Sequence, residues 1–416
     1  MSESLPELPL DHRLYVLAKA HEALTAYFAH WDTSAVPPHG FADRSGQMSS
    51  GTPDDLDRRL RAFLPRVREA PDRRAFALAM LEFFGPFNNG HSGYTDTDLL
   101  ARTPGLELDL EWTDGSWVVA ASRTPLVRAG DVIEILEGRP LGDWYEELSG
   151  LAGQLNPLSR RQQFAEIVLP LAIRAPAVEV AFLGARGRGR GRIVRRTPLR
   201  TTVETSVESA VLAERVGYIR VPGFHRPHFE ADAIRMVSEY SDLGALIVDV
   251  RGNRGGSTPL GLIGALMDRP WRSSAWTTPL HLPVLEVSVG EDFRRAHLYI
   301  SPERHEPAAD AYRGRLILLA DRHTVSAAED FLIPFRDNGR ATIVGERTWG
   351  STGQPYYADL GYGTSIRVSA KRDFGPDMTP VEGAGIAPDV EVGRSRDDWY
   401  EGRDPALERA LVEAAG

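Results

Sequence analysis

A chain of 416 residues is long enough for two or three domains of ordinary size, and 42% hydrophobic with 25% charged residues is the composition of a globular protein, not a disordered one. A net charge of −10 leaves the surface as a whole repelling nucleic acid and anionic membranes, while the absence of cysteine excludes disulfides, thiol catalysis and thiolate metal sites. No apolar run approaches the roughly 18 residues of a membrane helix, and the acidic, proline-bearing residues 1–7 lack the basic and apolar regions of a secretion signal, so a cytoplasmic location is the expectation.

Apolar residues recur at helical spacing over residues 10–31 (Leu14, Leu17, Leu24, Phe28) and again over 54–84 (Leu56, Leu60, Phe63, Val67, Phe76, Phe83), which predicts a small helical domain over residues 1–100. The intervening residues 33–53, rich in Gly, Ser and Pro, read as a loop. The helical part ends in Gly85-Pro86-Phe87-Asn88-Asn89-Gly90-His91-Ser92-Gly93-Tyr94, a cluster of helix breakers around a single histidine. Its glycines permit close backbone approach to a ligand or another domain. A lone loop histidine is more often a bystander than a reagent, so His91 acquires meaning only from what else the chain contains.

Short apolar runs with turn signals then follow: Leu106, Leu108 and Leu110 alternate, residues 117–120 form a second run, and Gly130-Asp131-Val132-Ile133 leads to Gly138. This order resembles a PDZ-like domain over residues 101–175, a type of module that commonly takes a chain terminus as an added strand. Glu107, where such domains often have a glycine-rich carboxylate loop, would repel a terminal carboxylate. The Gly187-Arg188-Gly189-Arg190-Gly191-Arg192 run has the composition of a nucleic-acid tract, but its β-like flanks and lack of interleaved aromatics favour a hairpin.

From residue 216 the pattern becomes strand, helix, strand, which places an α/β core at 176–416. The nearly all-apolar 245–250 is a strand buried on both faces, leading into Arg251-Gly252-Asn253-Arg254-Gly255-Gly256-Ser257 and a helix. That turn can offer backbone N–H groups to an anion, and since neither phosphate-binding glycine pattern is present an oxyanion hole is the better use. Residues 270–312 read as a poorly patterned insertion that could be a lid, a subunit contact or a substrate wall. The apolar 316–320 run then ends in Asp321-Arg322-His323-Thr324-Val325-Ser326-Ala327-Ala328-Glu329, another strand-to-helix junction. Thr324 or Ser326 could simply cap the helix. A serine there also projects from a first turn whose unpaired N–H groups and positive dipole end stabilise a developing oxyanion.

Four signals occur in a fixed order: Gly-His-Ser-Gly, a strand followed by Arg-Gly-Asn-Arg-Gly-Gly, a strand followed by Thr-Val-Ser-Ala-Ala-Glu, and Glu382-Gly383-Ala384-Gly385-Ile386-Ala387-Pro388-Asp389. Together they resemble the tail-specific, or C-terminal-processing, serine peptidases over nearly the whole chain. The resemblance implies a helical N-terminal domain, a PDZ-like module and a catalytic core of the Clp/crotonase type. One branch of that family pairs its serine with a lysine about 25 residues on, but position 351 here is Ser351, so the dyad lysine is missing. The other branch, resembling the tricorn core protease, uses Ser, His and Glu. It implies Ser326 as nucleophile, His91 as base and Glu382 as the group holding the second ring nitrogen, with the amides of Ala327 and of Gly255 or Gly256 meeting the oxyanion.

Competing residues carry less. His323 should point along the sheet surface, His225 and His228 flank a proline in an irregular segment unsuited to a metal, and Glu329 reads as a structural or first-turn charge. The expectation is a serine endopeptidase for peptides or unfolded tails, with no cofactor, no metal and no nucleic-acid or membrane partner. Since His91 and Ser326 belong to different domains, domain closure would complete the site. A ligand carrier on the same fold, and an acyl-transfer or esterase variant, are the alternatives; the natural substrate and any homo-oligomer are not specified.

Overall fold

The run Ala245–Asp249 is buried at every position because it lies in the middle of a sheet covered on both faces. In the computed structural model, which describes residues 5–31, 53–199, 206–212, 215–280, 284 and 297–416, it pairs in parallel with Val216–Arg220 on one side and Arg315–Ala320 on the other. Thr342–Gly345 and Val390–Glu391 extend the parallel sheet beyond Arg315–Ala320, and Glu208–Leu212, unread in the sequence, closes the other edge antiparallel. Period-two alternation divides the side chains between two layers. Leu246, Val248, Leu316 and Leu318 pack under helices Pro227–Glu239, Leu260–Leu266 and Ala327–Asn338. Ile247, Ile317, Leu319 and Val344 face the terminal helix Pro405–Ala415 through Ala406 and Ala410. The parallel strands therefore all deliver their C-terminal turns to one edge of the sheet, the usual place for a site in such a layer.

The helices expected at the N-terminus are present as Leu10–Tyr27, Pro53–Arg68 and Arg73–Phe84, while the loop expected between the first two falls, but for Pro53, outside the described residues. They do not close a core of their own. Ile366 and Val368 are buried among Leu17, Leu24, Phe76 and Phe83, because Thr364–Ser369 pairs antiparallel with Gly93–Asp96 and with Pro355–Gly361. A buried ion pair, Arg73 to Asp96 at 2.6 and 2.7 Å, fixes the end of that strand pair. The contiguous domain expected over residues 1–100 is thus completed by chain from far downstream.

Six antiparallel strands form the middle unit, the short Arg139–Pro140 paired with the third of the five in the order Leu108–Thr113, Ser116–Ser122, Val132–Leu136, Ala177–Gly184, Gly187–Val194. The last two lie beyond the boundary expected at residue 175. Their place is fixed by burial, since Val178, Val180 and Ile193 share a core with Leu110, Trp117 and Phe164. The described parts of the segment 270–312 carry more strand pairing than the sequence suggests. Ala275–Pro279 pairs with His297–Ile300 and with Arg372–Phe374, and Trp271 stacks on His305 at 4.2 Å where Trp271–Arg272 pairs with Arg304–His305. Phe293, within the same segment, lies outside the described residues.

Candidate active site

Two neighbouring strands end in turns that are knitted together. Asp321 accepts the Gly252 and His323 amides, both at 3.0 Å, Thr324 donates to the Val250 carbonyl at 3.0 Å, and the Val325 N–H donates to Asn253 O at 3.0 Å. Thr324, a candidate cap, is thus spent on the turn. Ser326 follows with φ 63° and ψ −127°, a backbone state that costs a non-glycine residue about 1–3 kcal/mol and persists only where the surroundings impose it. Here its N–H is held by the Ser351 carbonyl at 3.0 Å and the Glu329 carboxylate at 3.2 Å.

The two glycines facing it are not equivalent. A Cβ on Gly255 would stand 2.7 Å from the Ser326 Cβ and 3.0 Å from the Ala327 nitrogen, so the turn lies directly against the serine. Gly255 donates its N–H to Asn253 Oδ1 at 2.9 Å. Gly256 bridges Phe224, but the bonds of that bridge run from Phe224 N–H to Gly255 O and from Ser257 N–H to Phe224 O, leaving the Gly256 N–H out of it. Ala327, first in its helix, has an N–H with no carbonyl of that helix to bond.

His91 reaches this point from the loop after helix Arg73–Phe84. Its Nε2 lies 3.0 Å from Ser326 Oγ, across 235 positions of sequence. Asn88 adopts φ 49°, Asn89 Oδ1 accepts the His91 amide at 2.9 Å, and Arg367 donates to Gly90 O at 2.7 Å, so the loop is tied locally and to the strand behind it. Gly90 is required by proximity, since a Cβ there would stand 2.7 Å from Ser351 Oγ and 2.8 Å from Gln154 Oε1. Burial pushes the imidazole down to about 3, with Arg367, His30 and Lys371 adding repulsion, so His91 is neutral over the physiological range. The pair is already in contact, and no closure is needed to bring it together.

The second ring nitrogen differs from expectation. Nδ1 meets Ser351 Oγ at 2.9 Å, and the Ser351 hydroxyl draws the pKa of Glu382 down, while Glu382 Oε2 accepts the Thr352 amide at 3.2 Å. Glu382 therefore stands one hydroxyl behind the place assigned to it, because Ser351, Gly90 and Gln154 fill the space beside the ring. Burial, then the charge of Glu329, holds Glu382 well above the usual carboxylate range.

Glu329 is more than a first-turn charge. Fully buried, it takes the Thr348 hydroxyl and the Gly350 and Ser351 amides at 2.8 and 3.0 Å, besides the Ser326 amide. It thereby fixes residues 348–351 relative to Ser326. Burial pushes it up to about 7, against the pull of those donors. Glu329, read as a structural or first-turn charge, is thus structural; the role of Ser351 was missed because nothing local marks it, the one available signal being that it occupies the position of the absent lysine.

The remaining candidates lie apart. His323 bonds Glu111 Oε1 at 3.2 Å, and His225 and His228 both pack edgewise on Phe229. A cavity of about 260 Å3 beyond the same strand ends, lined by Arg251, Arg322, His323 and Trp399 among others, does not include Ser326, His91 or Glu382. Two of its cations are paired within the protein, Arg251 with Asp249 and Asp404, Arg322 with Glu346.

Comparison with known proteins bears on the same region. Residues 215–392 match the model of peptidase family S41. The second tricorn protease homolog of Streptomyces coelicolor is 27% identical over 395 residues, covering 86% of this chain and 30% of that protein. The chloroplastic carboxyl-terminal-processing peptidase 3 of Arabidopsis thaliana is 26% identical over 179 residues, 42% of this chain and 31% of that one. The chain thus spans about a third of the length of these curated relatives. Among solved structures, mature CPAF superposes with a TM-score of 0.70 at 16% identity, covering 98% of both chains, and the photosystem II D1 C-terminal processing protease with 0.52 at 17%, covering 92% and 93%. These two likenesses establish a shared mixed helix-and-sheet fold, and the matched family model relates residues 215–392 to peptidase family S41, with a carboxyl-terminal-processing peptidase and a tricorn protease homolog among the proteins the chain is similar to.

Proposed function

We propose that this chain is a serine endopeptidase that cleaves peptides or unfolded protein tails through an acyl-enzyme, with Ser326 as nucleophile and His91 as base. The observation that carries the reading is the approach of His91 Nε2 to Ser326 Oγ at 3.0 Å and of His91 Nδ1 to Ser351 Oγ at 2.9 Å, beside two backbone amides, those of Ala327 and Gly256, without a partner among the described residues. A neutral His91 protonated at Nδ1 accepts the Ser326 proton at Nε2 as Oγ attacks the carbonyl carbon. The imidazolium formed donates to Ser351 Oγ, whose own hydrogen is directed to Glu382; the carboxylate thus stabilises the imidazolium through an intervening hydroxyl. The Ala327 and Gly256 amides receive the oxyanion, Gly255 being committed to Asn253. Collapse returns the proton from Nε2 to the leaving amine, and water repeats the sequence on the acyl-enzyme.

In the same reading residues 101–175, with the hairpin of residues 177–194 added to them, are a PDZ-like module and the parallel-sheet unit a Clp/crotonase-like core. Supporting the first is the six-stranded antiparallel sheet. Glu107 speaks to its specificity, since its carboxylate already accepts the Arg196 and Thr197 amides at 2.7 and 2.6 Å and so closes the loop that would otherwise receive a terminus.

Intact-mass analysis after fluorophosphonate treatment tests the proposal. A single adduct on the wild type, absent from Ser326→Ala and strongly slowed in His91→Ala, is expected. An adduct retained in Ser326→Ala, or none on folded wild type, would remove Ser326 as an activated nucleophile.

A further inference from the structure

The Gly-Arg run, which the peptidase reading leaves unused, forms an outer strand with two dissimilar faces. Gly187–Val194 pairs only with Ala177–Gly184 among the described residues, so half of its N–H and C=O groups point away from the sheet. Arg188, Arg190 and Arg192 share one face at successive strand repeats of about 6.8 Å. Arg188 is held by Glu134 at 3.0 Å. Arg190 and Arg192 are exposed and make no ion pair among the described residues, although Glu179 lies directly opposite Arg192. The other face is apolar because the glycines allow it: a Cβ on Gly189 would stand 2.6 Å from the Phe182 ring, and one on Gly191 2.5 Å from Leu126. Where this strand begins, a cavity of about 320 Å3 opens, lined by Leu126, Phe182, Arg128 and Arg186 among others.

We propose that this edge binds an extended acidic protein segment as an added strand, with acidic side chains at alternate positions facing Arg188, Arg190 and Arg192 and apolar ones facing the glycine side over Phe182 and Leu126. Residues opposite each other on paired antiparallel strands share a face, so a partner alternating in acidic and apolar residues matches both surfaces in one register. The outward N–H and C=O groups supply the main-chain bonds. Charge selects the partner: a cationic stripe on a chain of net charge −10 attracts an anion against the average field. A polynucleotide would lack stacking partners here, since no aromatic residue alternates with the arginines.

The test is fluorescence anisotropy with a fluorescein-labelled, end-blocked octapeptide of alternating Glu and Val, on the full chain carrying Ser326→Ala so that the probe survives. Arg190→Glu with Arg192→Glu should weaken binding about tenfold or more, and the Ala pair by less, because the first change reverses two exposed charges and the second only removes them. Replacing two central valines by proline, at constant charge, should weaken it comparably because the ladder donors are gone. Absence of binding, affinity indifferent to the arginine changes, or equal affinity for the proline peptide or for an octauridylate would overturn the proposal, the last two by reducing the edge to an unspecific polyanion surface.

Discussion

The proposed nucleophile and the proposed base are held by opposite means. Ser326 and its facing amides come from two strands that are hydrogen-bonded neighbours, Ala245–Asp249 and Arg315–Ala320, so short strand-to-helix turns suffice to place them. His91 comes from a loop whose strand is completed by residues 364–369; Ser351 holds its ring, while Gln154 and Arg367 confine Gly90 just before it, from three separate stretches. One half of the site is a property of the sheet, the other of long-range packing. Mutations in the first half should therefore act on chemistry while leaving the fold alone, whereas those in the second should disturb both.

Under the proposed mechanism the largest effect comes from the two reagents. Ser326→Ala and His91→Ala should each lower kcat/KM by about 10^4-fold or more, and the double variant hardly further, since residues that act as one unit are not additive. Effects that multiply in the double variant, measured on one unfolded peptide substrate, would mean that the 3.0 Å approach of His91 Nε2 to Ser326 Oγ is incidental.

Next is the turn that faces the serine. Gly256→Ala places a Cβ 2.1 Å from the Phe224 carbonyl carbon, against backbone that cannot yield cheaply. The displaced amide should lower kcat about 10^2- to 10^3-fold, as for an oxyanion donor removed elsewhere. Gly252→Ala, in the same turn but with open space around its Cβ, should cost only about 1 kcal/mol for its positive φ and leave kcat near wild type. Equal effects at both positions would refute the assignment of the Gly256 amide.

The relay behind His91 gives a smaller change with a distinctive pH signature. Burial holds the His91 pKa down near 3 and the Glu382 pKa well above 4.5, so Glu382 titrates before His91 as pH falls. Protonating Glu382 removes the charge that stabilises the imidazolium, and the acid limb of kcat/KM should lie above 4.5 and belong to Glu382. Ser351→Ala should lower kcat about 10- to 100-fold, the range expected of general acid–base assistance partly lost. Glu382→Gln should lower the plateau and abolish that limb, leaving only the fall near the His91 value. An unmoved limb in Glu382→Gln would exclude the carboxylate from the relay.

The contrast between sheet and long-range packing also explains what the sequence made legible. Ala245–Asp249 and Arg315–Ala320 announce themselves by unbroken apolarity, and the turns after them by glycine and small polar residues, because each signal lies close in sequence to its cause. The downstream half of the N-terminal core was not legible: Ile366 and Val368 look like ordinary strand residues until Gly93–Asp96 lies beside them. The hairpin of residues 177–194 was read correctly as a hairpin but assigned to the wrong unit, since its burial against Leu110 and Trp117 depends on strands far upstream in the chain. Ser351 carries no local mark at all; its meaning arises only where Nδ1 of His91 meets it.

Glu329 sharpens the comparison most finely, because it joins the two halves. Its carboxylate fixes both the Ser326 amide and the loop that carries Ser351. Folding raises its pKa from an unfolded value of 4.5 to about 7, so the folded state binds its proton more tightly. The stabilisation it gives is complete below 4.5 and is lost as pH rises through about 7, amounting to about 3 kcal/mol over that interval. Glu329→Gln removes the titration while leaving one carbonyl for the same amides, and its static cost should be about 1–3 kcal/mol from donors left imperfectly paired. Denaturant unfolding of the two proteins should therefore show the wild type ahead near pH 4.5 and the gap closing or reversing once pH passes about 7. A gap that widens with rising pH would identify Glu329 as an ionised anchor whose donors outweigh its burial, and the link between the two halves would then be strongest where the peptidase chemistry also needs Glu382 charged.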